Sequence, residues 1–313
     1  MARIVVALGG NAIVQAGQQG TAEEQEASVA RSCAHIATML DAGYDVVLTH
    51  GNGPQVGNLL IKNELARDIV PAMPLDWCVA QTQATIGYLI QQSLGCELAR
   101  RGNPRPVATM ITRTEVRPDD PAWNRPTKPI GLYQPEQRAR EIAAATGQTW
   151  APQGERGWRR VVPSPGPVVI VDRAAIRALL ETGAVVVACG GGGIPVVRRD
   201  DGAFEGTEAV IDKDLGAALL AREVGATTLL ILTDVEHAII GYGTPGAEPL
   251  REVSARQLRA YQAEGHFASG SMGPKIEAAL RFVEGGSGRR AIISALDVAV
   301  DALAGRTGTQ VTV

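Results

Sequence analysis

Three lysines of this chain stand where a cation is poorly placed unless an anion joins it. Lys275 follows Gly273-Pro274 and opens the helical stretch KIEAALRFV. Proline suits a first helical turn, and that turn carries the positive end of the helix dipole. Lys213 lies in VIDKDLGAALLA, between Asp212, a good helix N-cap, and Asp214, a carboxylate suited to a first turn. Lys128 lies in RPTKPIG, where Pro126 and Pro129 stiffen the backbone on both sides. Each lysine alone has a plain reading: a snorkelling side chain, a D-x-D capping turn, an exposed loop residue. Aimed together at one cleft, they would suit phosphoryl transfer, which depends mainly on positioning and charge neutralisation.

Glycine clusters give such a cleft a place. LGGNA (8–12), HGNGPQVG (50–57) and CGGGGIPV (189–196) each follow an apolar, strand-like run. Glycine lets backbone N–H groups approach an anion, and a following helix N-terminus adds partial positive charge. In open α/β sheets, ligands bind beyond the carboxyl ends of the strands. LTDVE (232–236) puts Asp234 at another such end. Rival motifs fit poorly. GNGPQVG follows the second strand rather than the first, and Asp76 opens a helix, so a nicotinamide fingerprint is not expected. GSMGPK lacks P-loop spacing, and no HRD or DFG set occurs.

These sites need strands and helices to hold them. RIVVAL (3–8), DVVLTH (45–50), PVATMI (106–111), AVVVAC (184–189), TTLLIL (227–232) and RAIISA (290–295) read as buried strands. Helical patterns run over about 23–42, 55–67 and 75–101. Continuous apolar strands alternating with helices predict a mainly parallel sheet covered on both faces. Residues 115–166 are rich in Pro, Arg and Trp, with a helical patch near 135–146. Trp123, Trp150 and Trp158 need packing partners, so this segment reads as an inserted subdomain or lid. Asp201-Gly202 between two short strands signals a hairpin.

The chain has 313 residues, 45% of them hydrophobic, enough for one large α/β domain or two lobes. Its formal net charge of −3 and scattered Lys and Arg leave no basic patch for nucleic acid. An aromatic content of 4% offers no stacking platform for bases. Cys33, Cys78, Cys96 and Cys189 form no CxxC pair and read as free buried thiols in a reducing compartment. His35, His50, His237 and His266 lack zinc-site spacing. The first apolar run is shorter than the ~7–15 residues of a signal-peptide core. No stretch approaches the ~20 apolar residues of a membrane span. A cytoplasmic protein acting without membrane or nucleic acid is expected.

LGGNA, HGNGPQVG, PTKPIG, RRVVPSP, ACGGGGIPV, AVIDKDLGAALLA, LTDVE and GSMGPKIEAA occur together and in order. In these motifs the chain resembles the carbamate kinases of the amino-acid kinase superfamily, from about Ile4 to the tail GRTGTQVTV. The resemblance implies a three-layer αβα sandwich with a mainly parallel central sheet and a small protruding subdomain. It implies a carbamate and carbamoyl-phosphate lobe over residues 1–195, with the insertion at about 115–166, and a nucleotide lobe over 196–313. It also implies a homodimer, a place in arginine metabolism, and reversible transfer from ATP to carbamate with Mg²⁺ held mainly by nucleotide phosphates and water.

Carried onto this sequence, the resemblance makes Lys128, Lys213 and Lys275 the phosphate-handling lysines and Asp214 the carboxylate that organises them. Gly9, Gly10, Asn11, Gly51, Asn52 and Gly53 would surround the carbamate and the transferred group. Asp212, Thr233, Asp234 and Val235 would border the nucleotide, together with Tyr242, Met272 and Gly273. Carbamate is already an anion, so no general base is expected. Gly190–Gly193 carry no charge and would leave room beside the transferred phosphoryl group, on the way from the first lobe to the second. Two departures stand out. APQGERGWRRVVPSP lacks an acidic pair expected in the subdomain, and Gly241 replaces the usual Asn beside Tyr242. A kinase for a larger amino-acid carboxylate is the nearest rival. A non-catalytic nucleotide or carbamoyl-phosphate sensor on this fold would be expected to have lost one of the three lysines.

Overall fold

Successive residues of the strand Arg3–Leu8 feed two different cores, because side chains alternate across a pleated strand. Ile4, Val6 and Leu8 join one apolar cluster, and Val5 and Ala7 join another. Such a strand must be covered on both sides, which is why its sequence is a continuous apolar run.

The computed structural model describes residues 2–15, 17–267 and 272–313, the side chain of Asn11 excepted. The chain opens with β1 (Arg3–Leu8), α1 (Ala22–Asp41), β2 (Asp45–His50), α2 (Gly53–Ala66), α3 (Leu75–Arg100) and β3 (Val107–Thr109). It continues through β4 (Arg113–Val116), β5 (Lys128–Gln134), α4 (Glu136–Thr146), β6 (Trp150–Pro152), β7 (Trp158–Val162) and β8 (Pro167–Ile170). Then come α5 (Arg173–Glu181), β9 (Val185–Val187), β10 (Ile194–Arg198), β11 (Phe204–Gly206) and α6 (Lys213–Glu223). The rest holds β12 (Thr228–Thr233), β13 (Ile239–Ile240), β14 (Glu248–Pro249), β15 (Glu252–Ser254) and α7 (Ala255–Ala263). It closes with α8 (Met272–Glu284), β16 (Arg290–Ala295), α9 (Ala299–Leu303) and β17 (Thr309–Thr312).

Among the described residues the main sheet has eight strands in the order β15-β17-β16-β12-β1-β2-β9-β3. All its pairings are parallel except β16 with β17. One face packs on Ile36 of α1, Ile90 and Leu94 of α3 and Leu303 of α9. The other packs on Ile176 of α5, Leu220 of α6, Leu258 of α7 and Phe282 of α8. This is the three-layer αβα architecture. Burying each such large side chain contributes about 1.5–3 kcal/mol, so the sheet is a firm base for whatever its strand ends carry.

Among the described residues three smaller sheets accompany it: β11-β10-β4-β8, β5-β7-β6 and the pair β13-β14. β10 runs antiparallel to β11 through the expected Asp201-Gly202 turn, and parallel to β4. Among the described residues β5, β7 and β6 pair only with one another and, with α4, form a lid. The lid rests on α2 and α3 through Ile130 and Val162, which meet Val56, Leu75 and Val79. Two of the tryptophans find polar partners: Trp123 Nε1 donates to Arg117 O, and Arg140 covers the Trp158 ring, whereas the buried Trp150 Nε1 has no hydrogen-bond partner among the described residues. Three of the four cysteines are buried, but Cys96 is exposed, contrary to the expectation of four buried thiols. It lies in the C-terminal half of α3, on the side turned away from the sheet. No helix among the described residues is long and apolar enough to cross a membrane.

Candidate active site

β12, β1 and β2 are adjacent and parallel, so they end at one edge of the sheet. β1 hands over to Gly9 and a 3-10 turn at Gly10–Ala12, β2 to Gly51 and the start of α2, and β12 to Thr233-Asp234. Asn52 occupies the N-cap of α2, yet its side chain does not cap the helix; Nδ2 donates to Thr82 Oγ1 at 2.9 Å. Among the described residues no side chain caps the start of α2, where Gly53, Pro54 and Gln55 line the cleft described below with the positive end of a helix dipole behind them.

The lysines converge beside this edge. Asp212 caps α6 as expected: its Oδ1 accepts from the Asp214 N–H at 2.9 Å and from the Leu215 N–H at 3.4 Å. Its other oxygen accepts from Lys128 Nζ at 2.9 Å, which ties the lid to the start of α6. Asp214 is only 3% exposed. Lys213 Nζ lies 3.0 Å from its Oδ1 and Lys275 Nζ lies 3.2 Å from its Oδ2. Burial opposes the charge on Asp214, but the two ammonium groups outweigh it and hold the carboxyl below its usual range. Asp214 is the anion that the disfavoured positions of Lys213 and Lys275 required. Lys213 also donates to Leu8 O at 3.2 Å, so the end of β1 fixes its reach.

A cleft of about 710 Å³ joins Lys128, Lys213, Lys275, Gly10, Gly51–Gly53 and Gly191. Ligand pockets typically span about 300–1,000 Å³, so the space suits a small molecule. Gly191 enters it with φ +65°, and a Cβ there would sit 2.2 Å from Asn52 Nδ2. Glycine is therefore required both by conformation and by the close approach of the strand-end turns. The run 190–193 forms a tight turn against α6, where Gly216 packs on Gly192. It leaves room and brings no charge.

The other expected residues fall in a different place. Gly9 abuts Leu232 O and Thr233 Cα, below the cleft. Asp234 and Val235 are exposed beyond β12, and Tyr242 is exposed in the turn after β13. Met272 and Gly273 begin α8, the helix that carries Lys275. None of these lines the lysine cleft. The Asn11 side chain lies outside the described residues. Gly241 adopts φ +62°, a conformation that glycine and asparagine both tolerate, so Gly in place of Asn preserves the turn.

Several residues that shape the site had no assigned role in the sequence. Gln83 lies on the buried face of α3, its Nε2 donating to Gly190 O at 2.9 Å and its Oε1 accepting from the Thr112 N–H at 2.8 Å. A glutamine in step with Val79, Ile86 and Ile90 on an apolar helix face was the available signal. Cys189 takes a left-handed conformation (φ 57°), held by Thr112 Oγ1, which accepts from its N–H, and by Thr49 Oγ1, which donates to its carbonyl. His50 is buried, and its Nδ1 lies 2.9 Å from Gly51 O. A carbonyl only accepts, so Nδ1 carries the proton. Burial pulls the imidazole down to about 4; the bond to Gly51 opposes this and the Lys213 charge adds to it. Nothing in the spacing of the histidines announces this contact.

A model of the amino acid kinase family matches residues 2–294. The carbamate kinase of Thermococcus kodakarensis is 51% identical, over 99% of both chains. That of Trichomonas vaginalis is 42% identical over 99% of both chains. The solved structure of Giardia lamblia carbamate kinase bound to AMP-PNP superposes with a TM-score of 0.94 at 41% identity, covering 99% of this chain and 98% of the other.

Proposed function

The chain belongs to the amino acid kinase family, and from that premise we propose that it is a carbamate kinase, interconverting ATP and carbamate with ADP and carbamoyl phosphate. The observation that carries this is Asp214, one buried carboxylate that sets two lysine ammonium groups at a glycine-lined strand edge while the lid supplies a third.

Two anions must be brought together for phosphoryl transfer. Lys213 and Lys275 lie where they can spread the charge of the transferring group, and Asp214 keeps them from repelling each other. Lys128 adds a charge from the lid side once a substrate anion competes with Asp212 for it. The N–H groups around Gly10 and at the start of α2 complete the cradle. Carbamate arrives as an anion and needs no proton removed. His50 is neutral, with its proton committed to Gly51, and is not placed to serve as a base.

Mg²⁺ fits this picture as part of the nucleotide. Asp212 and Asp214 are committed to lysines, and no group of three metal-ligating side chains occurs among the described residues. The nucleotide is assigned to the C-terminal half, past Thr233, Asp234 and Val235 and along the start of α8 at Met272 and Gly273. Residues 1–195 would then carry the carbamate and 196–313 the nucleotide, in a cytoplasmic homodimer.

The test is ATP formation from carbamoyl phosphate, ADP and Mg²⁺ by the purified protein. Sustained turnover supports the assignment. No ATP, or faster phosphorylation of an amino-acid carboxylate than of carbamate, would overturn it. Sedimentation decides the dimer.

A further inference from the structure

Three ammonium groups and two carboxylates meet in the cleft, and each lysine has an aspartate partner. The net is a single positive charge, facing substrates that carry several negative ones. Among the described residues one further cation lines the same cleft. Arg159, on β7 of the lid, reaches its wall beside Gly131, Leu132 and Tyr133. Its neighbour Arg160 points the other way and pairs with Glu208 at 2.7 Å, as alternation along a strand requires. Arg159 has no carboxylate partner among the described residues. Its Nε donates to Gly131 O at 3.0 Å and its guanidinium lies 5.0 Å from the centre of the Tyr133 ring. These contacts fix the plane of the group and use one of its five donors. The two terminal nitrogens donate to no described residue.

An oriented guanidinium with an open fork, in a cleft short of positive charge, is built to take an oxyanion in two parallel hydrogen bonds. Resting on the phosphoryl transfer proposed above, we propose that Arg159 is a substrate-binding residue that takes the phosphate or carboxylate oxygens of the smaller substrate from the lid side. Tyr133 and Gly131 aim it. Lys213 and Lys275 are held by the core and serve the transferring group, whereas Arg159 is carried by the lid and meets the small anion from the opposite wall.

The experiment compares Arg159→Met, Arg159→Lys and Arg156→Met with the natural chain, in ATP formation from carbamoyl phosphate and ADP. Arg156 also stacks on Tyr133 but does not line the cleft, so its variant controls for loss of lid packing. Losing a bidentate charged contact should raise the KM for carbamoyl phosphate about tenfold or more in Arg159→Met, with the lysine variant in between. The KM for ADP should hold, kcat should fall far less than in Lys128→Ala, and competitive inhibition by inorganic phosphate should weaken in parallel. Arg156→Met should match the natural chain. An unchanged carbamoyl-phosphate KM in Arg159→Met overturns the proposal. So does a joint rise in both KM values with a collapse of kcat, which would make Arg159 a brace of the lid. If the natural chain makes no ATP, the kinase assignment fails separately. Calorimetric titration with inorganic phosphate then decides: weaker binding by Arg159→Met sustains the anion site, and equal binding removes it.

Discussion

Lys213 and Lys128 reach one cleft by opposite means. Lys213 stands on α6, whose buried face packs into the core, and its ammonium is pinned between Leu8 O and a carboxylate 3% exposed. Lys128 stands on a three-stranded lid, its side chain 40% exposed, and among the described residues holds a single partner, Asp212. The core-mounted lysine is set before any substrate arrives. The lid-mounted one can exchange Asp212 for a substrate anion as the lid adjusts, the usual division between a rigid charge cluster and a closing element. Asp212 belongs to both, since one oxygen caps α6 and the other holds the lid.

That contrast can be broken hardest at Asp214. Asp214→Asn removes the charge between two lysines, and kcat should fall by about 10³-fold or more, with about 3–5 kcal/mol of stability lost because buried ammonium groups are left uncompensated. Turnover assays and urea unfolding check both. Retained stability would mean that the lysines swing out to water, and that the core does not fix them. Lys128→Ala should cut kcat by about 10²-fold yet cost under about 1 kcal/mol, as half-exposed ion pairs do. A large stability loss there would make the lid part of the rigid core.

His50 sharpens the comparison from the core side. Its folded pKa of about 4 lies below the ordinary value of 6.5, so the unfolded chain binds the extra proton first. The stability this group contributes is present above about pH 6.5 and is lost as pH falls toward 4, about 3 kcal/mol in all. Asn places a donor where Nδ1 stands, so His50→Asn should keep activity while flattening stability across that window. An unchanged pH dependence would show that His50 is not held neutral. The smallest effect belongs to the outer grip of the lid. Glu208 accepts from Arg160 and also from the Leu75 N–H, at the start of α3. A double-mutant cycle on Arg160→Ala and Glu208→Gln should give a coupling of about 0.2–1 kcal/mol. A much larger value would mean that the lid is locked rather than hinged.

Much of the fold was readable along the chain. RIVVAL, DVVLTH and TTLLIL fall on three adjacent strands because a strand buried on both faces needs an uninterrupted apolar run. The cap at Asp212 and the Asp201-Gly202 turn were readable because capping and turn chemistry act over a few residues. Gln83, His50 and Arg159 were harder to read. Each acts through a partner distant in sequence or through a face that only strand alternation and lid placement define. Gln83 meets Gly190 across 107 positions.

The sequence by itself determined which segments become strands and helices, where α6 begins, and that Lys213 and Lys275 stand near helix starts in an unfavourable field, although α8 already runs from Met272, ahead of the expected opening at Lys275. Those outcomes follow from propensity, capping and periodicity, all short-ranged. Only the tertiary structure decided what answers that field. Lys275 meets Asp214 across 61 positions, and Lys128 meets Asp212 across 84. Charges find partners by distance in space, and the parallel order of β12, β1 and β2 is what brings α6, α8 and the glycine turns to one edge.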